Sequence, residues 1–353
     1  MRRRKDEQSG QTEEGDSRRE PDTQSSEASD AEQQASLERI EAGGIPLAAE
    51  RRLRELGEHG GCYTSDLSVA DFALCHKLGL RPLAQVMGSS IYQVGYQNTP
   101  WPVSAGGFMF ELNFLSDAWN EVRRRALNRL ALEAGHLGAD AVVGVELRTG
   151  AHDWAENAIE YVVIGTAVRH GEAAHGGGPA QGNAAAPSGG AAAPSGSAAT
   201  SGGGAPVLTE LSVDDYWKLA QAGIDPLGVV AWSSAFFVRA SYNTQMLGGL
   251  GGTMGFTQNQ ELPEYTEGFY EARELVMERM TAQAAQLGAT GVVGVRINHG
   301  IQRFNTGSGR YAQGGLMVTF HAVGTAIRER EAAALYAPQT TIDLLTSQRS
   351  AIR

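Results

Sequence analysis

Leu137–Val145 reads LGADAVVGV, and Leu287–Val295 reads LGATGVVGV. Two near-identical stretches at one fixed offset predict a duplicated module, and the flanking residues extend the match in both directions. Upstream, Trp119, Val122, Ala126, Leu130, Ala134 and Leu137 align with Phe269, Ala272, Val276, Met280, Ala284 and Leu287. Their spacings of three and four put each set on one face of a helix. Further upstream, Ser68, Val69, Asp71, Gly79, Pro82, Ser89 and Ser90 match Ser212, Val213, Asp215, Gly223, Pro226, Ser233 and Ser234. Downstream, IGTAVR from Ile164 matches VGTAIR from Val323. The second copy carries extra residues before its long helix and between its last two strands.

Each copy reads as a short helix, a strand, a long helix and two further strands, an α+β chain of tandem β-α-β-β modules. Ser68 with Asp71, and Ser212 with Asp215, predict capping boxes that satisfy the free N–H groups of the short helix. Gly79 and Gly223 predict its left-handed stop, and Gly138 and Gly288 that of the long helix. Gly144 and Gly294 fall inside a strand pattern, where a missing side chain predicts close approach of helix to sheet. Gly165 and Gly324 complete the glycine signature in the closing strand.

The boundaries expected are a disordered tail over 1–45, a first module with a helical lead-in over 46–170, a linker over 171–206, a second module over 207–328 and a tail over 329–353. The tail has almost no aliphatic or aromatic side chains to offset the entropy of ordering. The linker, dominated by Gly, Ala, Pro and Ser, has an r.m.s. reach of roughly 30–35 Å, so modules joined by it need not touch. No long apolar run predicts a membrane span, and no apolar segment follows the basic start as a signal peptide requires. A net charge of -11 argues against nucleic-acid binding. Arg123, Arg124, Arg125 and Arg129 read as a solvated helix face paired with Glu121 and Glu133. Two cysteines fit a reducing cytoplasm.

With its helix leading into LGADAVVGV or LGATGVVGV and its closing GTAVR or GTAIR strand, the chain resembles the YbjQ-like family, whose domain is also described as heavy-metal-binding. The resemblance covers Leu67–Arg169 and Leu211–Arg328. It implies a small module similar in outline to a dodecin subunit, forming five-membered rings through strand contacts, with no established enzymatic activity. A three-stranded sheet under one helix leaves open edges, so association is also expected on physical grounds. Two modules per chain then predict five chains as two linked rings, copy 1 with copy 1 and copy 2 with copy 2.

Candidate chemistry is sparse. Cys62, Cys75 and His76 match no zinc spacing, and Cys75, aligned with Leu219, reads as a buried hydrophobe. His152, Asp153 and Glu156, and separately His299, are the metal candidates, supported by the family description alone; no cofactor is predicted. The glycine run Gly248–Gly255 lacks the lysine of a phosphate-binding loop. Ser89-Ser90 and Ser233-Ser234 recur without a recurring His or acid to make a triad, and strand-end hydroxyls are the simpler reading. The expected function is a non-enzymatic cytoplasmic assembly protein, homo-oligomeric, with an unknown protein or small-molecule ligand. Metal sequestration is the alternative, and a small-molecule or cofactor carrier the third reading.

Overall fold

A computed structural model describes residues 21–59, 62–95, 109–151, 158–170, 205–239, 261–306 and 313–329. Copy 1 comprises α3 (Val69–Leu78), β1 (Leu80–Gln93), β2 (Met109–Glu111), α4 (Asn113–His136), β3 (Ala141–Ala151) and β4 (Ala158–His170), preceded by α1 (Pro21–Glu41) and α2 (Leu47–His59). Copy 2 comprises β5 (Val207–Leu208), α5 (Val213–Gln221), β6 (Ile224–Val238), α6 (Pro263–Gln286), β7 (Gly291–Thr306) and β8 (Gln313–Glu329).

The chain is α+β, and the expected apolar stripes form the two helix-to-sheet cores. Val122, Ala126, Leu130 and Ala134 of α4 lie on Val86, Val142 and Val163, while Ala272, Val276, Met280 and Ala284 of α6 lie on Val230, Val318 and Ala322. Both capping boxes are present: Ser68 Oγ accepts from Asp71 N at 3.1 Å and Ser212 Oγ from Asp215 N at 3.1 Å. Glycines 79, 138, 223 and 288 all have positive φ at helix ends.

Gly144 and Gly294 have a different cause from the one expected. A Cβ on Gly144 would meet nothing within 4 Å, and φ is +63° there and +67° at Gly294. Both sit where the pairing of β3 with β4, and of β7 with β8, shifts register. They are bulge glycines chosen for a left-handed backbone. Close helix approach is instead the work of Gly88, where a Cβ would lie 1.9 Å from Ala126 O. Gly88→Ala is therefore expected to lift α4 from the sheet and cost about 3 kcal/mol. Gly57→Ala, with nothing within 4 Å, is the control. Equal urea midpoints for the two variants would contradict this packing.

Two expectations about the ends and the arrangement fail. Pro21–Glu41 is helical, although it was expected to be disordered. Arg39 pairs with Glu50 and Arg51 with Glu32 between α1 and α2, and Ile45 and Leu53 of the lead-in are buried in the copy 1 core. Residues 1–20, most of the linker (171–204) and the tail from 330 lie outside the described residues.

The two modules, far from being independent, are interlocked. One sheet has the order β1-β4-β3-β5 and the other β2-β6-β8-β7. The lead strand of copy 2 thus extends copy 1's sheet, pairing parallel with β3, and a strand of copy 1 extends copy 2's sheet, pairing antiparallel with β6. Periodicity could not reveal this, because β2 and β5 are three and two residues long.

Candidate functional site at the seam between the modules

The seam is held first by backbone. Gly144 N donates to Leu211 O, Val145 N to Thr209 O and Thr209 N to Val142 O, each at 2.9 Å. On the other side Leu112 N donates to Ala235 O at 2.8 Å, and Ala235 N donates to Ser116 Oγ at 2.9 Å. The Asn120 amide grips both backbone groups of Ser233: Oδ1 accepts from its N at 3.0 Å and Nδ2 donates to its O at 2.8 Å. Apolar surface closes behind these bonds, with Leu112, Phe110, Phe114 and Leu115 of copy 1 packed on Ala235, Phe237 and Met317 of copy 2.

A buried polar cluster lies in the middle. Ser233 Oγ shares hydrogen bonds with Tyr161 Oη and His321 Nδ1, both at 2.9 Å. Trp119 packs edge-on against His321, with ring centroids 4.8 Å apart, and against Tyr161 at 5.7 Å. Arg123 is buried with its guanidinium 5.8 Å from the Trp232 ring centroid, and Arg279 reaches the same ring at 5.7 Å. Burial lowers the Arg123 guanidinium to about 10, so it remains charged at neutral pH. Burial, then the Arg123 charge, lowers His321 to about 4, which keeps its imidazole neutral. Burial raises the Tyr161 phenol.

This arrangement can lock two modules together. A serine beside a histidine suggests nucleophilic chemistry, but Ser233 has no solvent exposure. A histidine titrating near 4 is also a weak base at neutral pH. Sequence reading missed the cluster because Ser233 and His321 meet only once the strands pair, and Ser233 lies mid-strand, not at a strand end. The solvated reading of the arginines holds for Arg124 and Arg125, which pair with Glu121. It fails for Arg123 and for Arg129, whose guanidinium donates to the carbonyls of Ile40, Gly44 and Ser89. Arg52, not Arg129, pairs with Glu133.

Of the metal candidates, only His299 falls among the described residues. His152, Asp153 and Glu156 lie outside the described residues. His299 is exposed beside Phe269 and Phe320, with ring centroids 5.8 Å away in both cases. Cys75 is fully buried, and desolvation raises its thiol to about 11, the opposite of what a metal-binding thiolate needs. Among the described residues no three of His, Cys, Asp and Glu come together, so they do not fit a bound metal.

The family described as "Putative heavy-metal-binding", YbjQ, matches residues 105–171 and 241–330. The chain is 33% identical over 283 residues to the encapsulin nanocompartment protein Rv1762c of Mycobacterium tuberculosis, across 80% of this chain and 90% of that protein. It is also 44% identical over 59 residues to a UPF0145 protein of Clostridium novyi, covering 17% of this chain and 55% of that one. No solved structure matches.

Proposed function

Because this chain belongs to the YbjQ-like family and carries two tandem copies of its module, we propose that it is a non-enzymatic, self-assembling binding protein that works in the cytoplasm. The observation that carries the reading is the use of strand edges as joints: the modules bind each other by lending β2 and β5 to one another's sheets. Similarity along 90% of an encapsulin nanocompartment protein supports assembly as the shared property. No helix among the described residues is long and apolar enough to cross a membrane.

Two linked rings of like copies would have to use strand edges beyond the short stretches of β3 and β6 that β5 and β2 pair within the chain. The test is light scattering on the purified full chain with elemental analysis after dialysis. The expected mass is a multiple of 37.4 kDa, with no stoichiometric soft metal retained. A single-chain mass would refute assembly, and retained metal at one per chain would favour the metal-sequestering alternative.

A further inference from the structure

Two buried side-chain donors among the described residues have no hydrogen-bond partner, Arg123 Nη1 and Trp232 Nε1. They belong to different modules and lie together at the seam, with the guanidinium carbon of Arg123 5.8 Å from the centroid of the Trp232 ring. Guanidinium and indole N–H groups donate and cannot accept, so neither can satisfy the other. One acceptor within reach of both would serve the two at once.

The missing acceptor is also a missing charge. Arg123 is 5% exposed and charged at neutral pH. Glu121, the acidic residue nearest to it on α4, is taken by Arg124 and Arg125. Tyr161 Oη and His321 Nδ1 are spent on Ser233 Oγ, and neither group carries a charge at neutral pH. Arg279 brings a second guanidinium to the same ring, at 5.7 Å, and Glu111 answers it only from 3.8 Å. A buried charge without a partner is strongly destabilising. Water could accept from both donors but would bring no countercharge. Exposure rises from Arg123 through the half-buried Trp232 to the exposed Arg279, which puts the entry on the Arg279 side.

The duplication does not repeat this arrangement. Gly88 stands at the place of Trp232, and Arg273, the counterpart of Arg123, is exposed and paired with Glu274 at 2.5 Å. The unanswered guanidinium arises only where α4 of copy 1 docks on β6 of copy 2. We propose that this point of the seam is a binding site for a small monovalent anion, held by Arg123 Nη1 and Trp232 Nε1, with Arg279 adding positive charge at the entry. The anion neutralises Arg123 and bridges a helix of one module to a strand of the other, so its binding stabilises their union. All of these groups lie within one chain, so the site goes beyond the assembly reading and does not depend on it.

Thermal melting of the full chain at neutral pH tests this, in sodium chloride and in sodium gluconate at equal ionic strength, with chloride as the probe and gluconate as the bulky reference. The gain in melting temperature from gluconate to chloride should be larger for the wild type than for Arg123→Met or Trp232→Phe by roughly 2–4 °C. Arg123→Met removes the charge. Trp232→Phe keeps an aromatic ring and removes the N–H, so it decides alone if Arg123→Met does not fold. The same gain in the wild type and Trp232→Phe would overturn the site and leave the two donors to water. A gain that survives in Arg123→Met would overturn it too, by placing the chloride effect elsewhere. A single-chain mass by light scattering would refute assembly without touching this result.

Discussion

Leu130→Asp is expected to yield no soluble folded chain. Leu130 is fully buried at the centre of the α4 stripe, and Met280 holds the same place on α6 with the same burial. A carboxylate there would lie inside an apolar cluster, and leaving it unpaired costs about 5 kcal/mol or more. That is comparable with the whole stability of an ordinary domain. Because the sheets are interlocked, Met280→Asp should carry copy 1 down with copy 2. Circular dichroism and recovery in the soluble fraction check both, and a folded Leu130→Asp chain would mean that the wrong face of α4 has been placed inward.

The second large effect is acid sensitivity at the seam. His321 titrates near 6.5 when unfolded and near 4 when folded, so between these values the unfolded chain holds more protons. Its contribution is therefore complete above about pH 6.5 and is lost as pH falls toward 4. The loss is about 1.4 kcal/mol per pH unit, roughly 3 kcal/mol across the window. Melting temperatures at pH 7 and pH 4.5 should separate more for the wild type than for His321→Gln, which cannot take the proton. Equal separations would show that His321 is not held neutral by burial and Arg123.

What could be read from the residues was whatever has a local period. The stripes through Leu130 and Met280, the capping boxes at Ser68 and Ser212 and the glycine stops announce themselves within a few turns and appear where expected, except that Leu287, read as the end of the second stripe, is exposed. The seam has no such signal. Tyr161, Ser233 and His321 converge from three strands of two modules, and in the aligned copies His321 stands opposite Val162 and looked solitary. Arg123 and Arg129 look like any surface arginine in sequence; only the neighbouring module and the lead-in bury them. Gly144 was visible as special but for the wrong physical reason, because a bulge and a close contact both ask for glycine.

The lending of β2 and β5 changes what the peptide link between the modules is for. Among the described residues the bonds that keep the halves together run between strands, so a protease cutting within residues 171–204 would leave a nicked chain that migrates as one particle until it is denatured. Each fragment would hold a sheet short of one strand, with the missing strand on the other fragment. The molecule is in this sense a two-piece protein whose genetic fusion fixes stoichiometry at one to one. The link ensures that neither half is made without the other, while the strands do the holding.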